Sequence, residues 1–337
     1  MANVKVKSKL TDKNESKEII PVKIFKITDI PDVMDKKGWK IAAGFMRKWF
    51  NDPYYEMSKQ EKLNKVDMHS INKQHIVDDL PFDWLYTAST RVSPIINNVV
   101  KNISEVREYN ETLGKLKGVA NQLSNGLIAM IGRLEHLGLV DRKSKAMKSA
   151  FLDYSEMPAV ELDRTSQFNY FPIGDTLWEK ATDELDDVYG ALGSFIVKIA
   201  FLNLNITQDK TGFYRIEINE LGLYVRDTYE FMNDGDDQPL GYWGWDNVVK
   251  PGIISELFES AKITEDGKDY FRVTNGSFVQ YREKCHKEGK NVTGDFFVYS
   301  TVKRIKVDIT IHLNDIDIEE YVTRTNSYWQ LHWGPTS

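Results

Sequence analysis

The sequence predicts an α+β fold: a helical N-terminal half, then a mainly antiparallel β-sheet C-terminal half with a short inserted helix. Two changes of pattern predict it. Apolar residues recur at three- and four-residue steps through the first half, and beyond Gly193 the period changes to two. A third observation places the inserted helix. "NGSFVQYREKCHKEGK" breaks the alternation, and the spacing of Phe278, Tyr281 and Cys285 gives a short helix ending near Gly289.

Along the chain, residues 1–20 are polar and lysine-rich and are expected to form a mobile arm. Residues 21–175 form the helical region and 176–337 the β-rich region, packed together as one compact unit. In "IPDVMDKKGWKIAAGFMRKWF" an apolar stripe runs through Val33, Trp39, Ala42, Ala43, Met46 and Phe50, and Asp52-Pro53 ends the helix. "SKQEKLNKVDMHSINKQHIVDD" reads as a surface connection with short helical turns. Pro94 kinks or begins a helix in "DWLYTASTRVSPIINNVVKNI". The longest helical candidate runs roughly from Glu105 to Leu137. Gly114, Gly118, Gly126 and Gly132 weaken it by about 1 kcal/mol each, so breaks or close helix contacts are expected there. After Leu139 the chain reads as loop through "SEMPAVELDRTSQFNYFPIGD". Helical spacing returns in "DTLWEKATDELDDVYGAL", with Asp175 as N-cap and Asp186 turned toward the core side near Tyr189, where it needs a partner. "SFIVKIAFLNLNITQ", "YRIEIN", "LGLYVRDTYEF", "DYFRVTN" and "GDFFVYSTVKRIKVDITIHL" are the strands.

Composition narrows the function. At 337 residues, 41% hydrophobic and 28% charged, the chain has an ordinary globular balance and enough length for a large core. A net charge of −6, with no dense Lys/Arg run interleaved with aromatics, argues against nucleic acid as partner. Cys285 is the only cysteine, which rules out an internal disulfide and a cysteine-based zinc site. The most apolar window, "FIVKIAFLNLNI", is too short to span a bilayer and contains Lys198. The N-terminus is charged throughout, so the expectation is a protein made in the cytoplasm and exported, if at all, without a cleaved signal.

Candidate chemistry concentrates in "YVRDTYEFMNDGDDQPLGYWGWDN", residues 224–247. Strand alternation puts Asp227 and Tyr229 on one face and Arg226 and Glu230 on the other. A carboxylate beside a phenol at a strand end can serve as base and orienting group, or hold a divalent cation such as Mg²⁺ or Ca²⁺. The competing reading pairs Arg226 with a nearby carboxylate and packs Tyr229 with its hydroxyl at the surface. Asp234, Asp236 and Asp237 have the content of a calcium loop without its register, and read as a solvated turn; no metal ligands are assigned. Trp243 and Tyr242 can line a substrate groove, or the tryptophan can anchor the loop in the core. His69 and His75 are six apart and do not converge on a helix, whereas His312 and His332 could approach only through the fold. Cys285, between Lys284 and His286, is either a lowered-pKa thiol or a filler of the helix's apolar side.

"GWKIAAGFMRKWF", "DELDDVYGALGSFIVKIAF", "LGLYVRDTYEF", "DQPLGYWG", "VTNGSFVQYREK" and "GDFFVYSTVKRI" occur in this order, and together they resemble domain-of-unknown-function family 6402 from about Ile30 to Leu313. The resemblance implies a cargo or accessory protein encoded near type VI secretion and polymorphic-toxin genes, and implies no reaction. The run from Asp227 to Phe231 is also similar to the Asp/Tyr/Asp motif of colicin M-type toxins, which hydrolyse the lipid-linked peptidoglycan precursor. Those toxins carry a His-Arg pair a few residues on; here that place holds "GDDQP", and the final Asp is Glu230. A histidine from elsewhere, such as His312, would have to substitute.

Two functions are therefore expected. One is a secretion-associated antibacterial effector hydrolysing an envelope substrate. Asp227 or Glu230 would act as base or metal ligand, Tyr229 would orient, and Arg226 or a divalent cation would stabilise developing charge. Such an effector would work in a target cell, with a spike or adaptor component and a cognate immunity protein as partners. The alternative is a non-enzymatic adaptor or structural partner of the secretion machinery, docking through its helical half.

Overall fold

Two long antiparallel strands, Phe195–Gln208 and Tyr214–Tyr229, pair from Ile196↔Arg226 to Gln208↔Tyr214 and form the axis of the molecule. The Asp209 carboxylate closes their turn by accepting from the backbone N–H groups of Thr211 (2.8 Å) and Phe213 (3.0 Å). Each outer edge of this hairpin carries two shorter strands end to end. Ala150–Asp153 and Gln167–Ile173 line the first strand; Lys303–Leu313 and Phe296–Ser300 line the second. Ile76–Leu80 and Glu108–Tyr109 add parallel pairings outside Phe296–Ser300 and Lys303–Leu313, completing an eight-stranded sheet. A four-stranded antiparallel sheet orders Val248–Val249, Pro239–Trp243, Lys268–Thr274 and Lys262–Glu265. The computed structural model describes residues 24–105, 108–109, 126–174, 185–232, 237–250 and 260–324. The fold is α+β, with helices mainly in the N-terminal half and curled, largely antiparallel sheets in the C-terminal half. Among the described residues no helix is long and apolar enough to cross a membrane.

Period-two alternation sends the hairpin's side chains to two faces. Val197, Ile199, Phe201, Ile216, Ile218, Leu223 and Val225 enter the main core, against helices Ile30–Lys36, Lys40–Asn51, Val92–Glu105 and Gly126–His136. Ala200, Leu202 and Tyr224 face the other way, into a smaller cluster with Met57, Met68 and helix Ala159–Thr165.

Helix Lys40–Asn51 buries Ala42, Ala43, Phe45, Met46, Trp49 and Phe50 in the main core, close to the expected stripe. Trp39 stands at its N-cap and offers no side-chain acceptor. Asp187 supplies the missing acceptor from another helix, taking the N–H groups of Ile41 (3.2 Å) and Ala42 (2.8 Å) and the Trp84 indole (3.3 Å). This corrects the expectation for Asp186. That residue caps its own helix, Asp187–Leu192, by accepting from the Tyr189 N–H at 2.7 Å, and its neighbour is the carboxylate that reaches across.

The inserted helix is Asn275–Lys287, opened by a Thr274/Ser277 capping box and followed by Gly289 at φ 71°. Other elements depart from expectation. Gln167–Ile173, read as loop, is a strand buried at most positions on both faces, so it shows no alternation. Ile76–Leu80 hides its strand character behind the exposed pair Asp78 and Asp79. Of the long helical candidate, Gly126–His136 is helix and Glu108–Tyr109 is strand, with 106–107 and 110–125 outside the described residues. The N-terminal arm and the Asp175 cap also lie outside them.

A second carboxylate ties the halves together. Asp295 accepts from the Trp49 indole (2.8 Å) and the Met57 N–H (2.9 Å), and it pairs with Arg282. Burial pushes its pKa up to about 6 against the pull of Arg282. Arg282→Met should cost ~3–5 kcal/mol in urea unfolding, because it leaves that charge buried without a cation. Adding Asp295→Asn should restore part of the loss. A single-variant loss below ~1 kcal/mol, the range of a surface pair, would contradict this role.

Candidate functional site

Side chains directly opposite one another across a strand pair share a face, so the register of the hairpin strand sorts the candidate residues. Arg226 lies opposite Tyr299 and Ile196; Asp227 lies opposite Val298, and Tyr229 opposite Phe296. Arg226 therefore turns toward helix Ala159–Thr165, while Asp227 and Tyr229 turn toward the main core. The pairing that alternation predicted is present, and it places Arg226 and Asp227 on opposite sides of the sheet.

On Arg226's face the polar groups converge on Asp163. Its Oδ1 accepts from Lys198 Nζ (2.5 Å) and the Tyr224 hydroxyl (3.0 Å). Its Oδ2 accepts from Asn64 Nδ2 (3.2 Å) and the Tyr299 hydroxyl (3.5 Å), with Arg226 Nε at 3.8 Å. Burial alone would raise the Asp163 pKa; Lys198 and Arg226 outweigh it and hold the carboxyl below the usual range. Burial brings Lys198 down to about 8 despite the attraction of Asp163. Burial, then Asp163, pushes the Tyr224 phenol well up. Arg133 closes the helix end, donating to the carbonyls of Gln167 (2.7 Å), Arg164 (2.8 Å) and Asp163 (3.3 Å).

The other candidates are engaged elsewhere. Tyr229 is 8% exposed, stacked on Phe296 at 4.9 Å, with its hydroxyl 3.5 Å from Met46 Sδ. Its hydroxyl thus points into the core, against the surface position of the competing reading. Glu230 pairs with Lys62 from the turn above, and its Oε2 is buried with no hydrogen-bond partner. Asp227 is half-buried. Burial, with repulsion from Glu230, pushes its carboxyl up to about 7 against the Thr228 N–H, Arg226 and Lys62. Trp243 and Tyr242 are 5% and 1% exposed, and donate to the carbonyls of Leu240 (3.1 Å) and Ser260 (2.8 Å). They anchor their strand in the core, with Trp243 edge-on to Trp39.

Of the acidic loop, Asp234 and Asp236 lie outside the described residues, and Asp237 accepts from the Gly276 N–H (2.7 Å) at the start of the inserted helix. Among the described residues no group of three or more His, Cys, Asp or Glu side chains is placed to hold a metal ion. His312 pairs opposite Arg215, twelve residues along the hairpin strand from Asp227, a path of roughly 40 Å at the rise of a β-strand. It cannot stand in for the histidine of the colicin M-type motif. His69 faces Glu161 at 3.4 Å, His75 stacks on Tyr55 at 4.3 Å, and His332 lies outside the described residues. Cys285 is buried, as the apolar-filler reading had it.

Asp163 escaped the sequence reading because "AVELDRT" shows nothing beyond an ordinary acidic helix. Lys198 did leave a signal, as the charge inside the most apolar window of the chain.

Comparison with protein families matches residues 25–314 to a family of unknown function, DUF6402. That is most of the chain, and the chain belongs to this family. No curated protein and no solved structure matches it.

The Asp227 carboxyl gives a signed pH prediction. Its folded pKa is raised, so its stabilising contribution is full below about pH 4 and is lost as pH rises through 7. Asp227→Asn should therefore stabilise the protein at pH 8 by ~1–2 kcal/mol and flatten the decline between pH 4 and 7. Chemical denaturation at both pH values checks this; a destabilised Asn variant at pH 8 would show that the charged form is the favoured one.

Proposed function

We propose that this chain is a secretion-associated protein of the type VI kind that works by binding, as an adaptor or structural partner of the delivery machinery. The family resemblance supports the secretion setting. The observation that favours binding over bond cleavage is the division of the candidate catalytic groups. Arg226 faces Asp163 on one side of the sheet and Tyr229 is packed against Met46 in the core on the other. Glu230 is held by Lys62, and the proposed groove aromatics are buried anchors. A base, an orienting phenol and a charge-stabilising arginine must reach one reacting atom at about 3 Å, which a single strand cannot arrange across both faces of a sheet.

One observation favours the second reading, an antibacterial effector hydrolysing a peptidoglycan precursor. A half-buried carboxyl with a pKa near 7, at a strand end and close to Arg226 and Lys62, has the profile of a general base. In that reading Asp227 takes the proton, Glu230 assists and a divalent cation or Arg226 offsets the phosphate charge; an immunity protein would cover this strand end.

Expression in the cytoplasm and in the periplasm of a sensitive cell separates the two. The adaptor reading expects no killing in either compartment and co-purification with a spike or sheath component. Periplasmic killing that Asp227→Ala abolishes without unfolding the protein would overturn it in favour of the effector. Killing that survives both Asp227→Ala and Glu230→Ala would remove the hydrolase assignment as well.

A further inference from the structure

We infer that the cluster around Asp163 is a covered oxyanion site, which takes the phosphoryl or carboxyl group of a ligand when the turn at residues 58–64 lifts. The inference stands on the charge and donor balance of the cluster and not on the adaptor reading.

Charge balance is the first argument. Lys198 and Arg226, with side chains 11% and 10% exposed, share one carboxylate, Asp163, at 3%. Of the other acids nearby, Asp227 lies on the opposite face with its carboxyl pushed up to about 7, Glu230 pairs with Lys62, and Glu61 accepts from the Ser58 N–H and the Tyr55 hydroxyl (2.8 Å). With Arg133 also buried beside Lys198, the pocket holds more positive charge than its acids match, a costly arrangement unless an anion shares it.

Donors are the second. An ammonium carries three N–H groups, and that of Lys198 makes one hydrogen bond, to Asp163. Arg226 Nε is buried with no hydrogen bond. Beside its contact with the Tyr299 hydroxyl, Arg226 reaches the carbonyls of Lys62 (3.3 Å) and Glu61 (3.4 Å) and Asn64 Oδ1 (3.4 Å), all long. A guanidinium facing an oxyanion normally makes two parallel bonds at about 2.7–2.9 Å. The Tyr224 and Tyr299 hydroxyls donate their protons to Asp163, so the donors left facing this space are two N–H groups of Lys198 and the Arg226 Nε–H.

The cover is the third. All three long Arg226 contacts go to one turn, whose Asn64 also reaches Asp163. Asn64 sits at φ 58°, a left-handed position that asparagine tolerates better than most residues. An incoming oxyanion would replace weak bonds to this turn with charge-assisted bonds to Arg226 and Lys198. The titratable and charged groups facing Lys198 are Asp163 and Arg133 from the helices and Arg226, Tyr224 and Tyr299 from the strands. Burial brings Lys198 to about 8, and an oxyanion beside it would hold its proton in place.

Thermal unfolding of the full chain tests this, in phosphate, acetate and chloride at equal ionic strength. Phosphate at ten times its dissociation constant should raise Tm by about 2 °C over chloride at pH 7, and by less at pH 9, above the lowered Lys198 pKa. An equal response to acetate assigns any oxyanion; a response to phosphate alone assigns a phosphoryl group. Lys198→Met should abolish the shift. Asn64→Gly keeps the left-handed backbone, removes the covering amide and should tighten binding several-fold, which decides the matter if the lysine variant does not fold. No shift beyond chloride in both the native protein and Asn64→Gly would overturn the proposal, as would a shift retained by a folded Lys198→Met.

Discussion

The pairing of Phe195–Gln208 with Tyr214–Tyr229 is the constraint on which the other elements depend. Four of the remaining strands pair directly with one or other of its edges, so their register is inherited from it. A strand with an apolar core on one side and a helix on the other cannot slip by one residue, because a slip would exchange both sets of side chains. That rigidity decides the fate of the candidate residues. Tyr224 and Arg226 belong to the polar cluster and Val225, Asp227 and Tyr229 to the core side, whatever chemistry their types suggest.

Three buried carboxylates then join what the sheet leaves separate. Asp187 holds the N-terminus of helix Lys40–Asn51, Asp295 joins that helix to Arg282, and Asp163 gathers side chains from three strands and a turn, with Arg133 of a second helix on its main-chain carbonyl. The first two are matched. Asp187 accepts three hydrogen bonds from N–H groups, and Asp295 has one arginine with an indole and a backbone N–H. Asp163 differs in serving two cations, and that asymmetry separates a structural tie from a place where an anion is bound.

Much of the architecture was legible because it rests on periodicity. The stripe from Val33 to Phe50, the hairpin strands and the inserted helix all show their period in sequence. Gln167–Ile173 was not, since burial on both faces erases alternation, and Ile76–Leu80 was not, since its two aspartates look like a surface turn. Alternation separates Arg226 from Asp227 correctly, but it does not say which face is core, so it leaves the Tyr229 hydroxyl open between an orienting role and a surface position. The partners that decide each role, Asp163 for Arg226, Lys62 for Glu230 and Met46 for Tyr229, are 63, 168 and 183 residues away in sequence, and only the fold brings them together.

The claim that the central strand commits Arg226 to Asp163 and divides it from Asp227 is tested most directly by double-mutant cycles in chemical denaturation. Arg226→Met combined with Asp163→Asn should show a coupling of about 1–3 kcal/mol, and Arg226→Met combined with Asp227→Asn a coupling below about 0.5 kcal/mol. A larger coupling to Asp227 than to Asp163 would mean that the two candidate residues act together after all, and would contradict the division of the site.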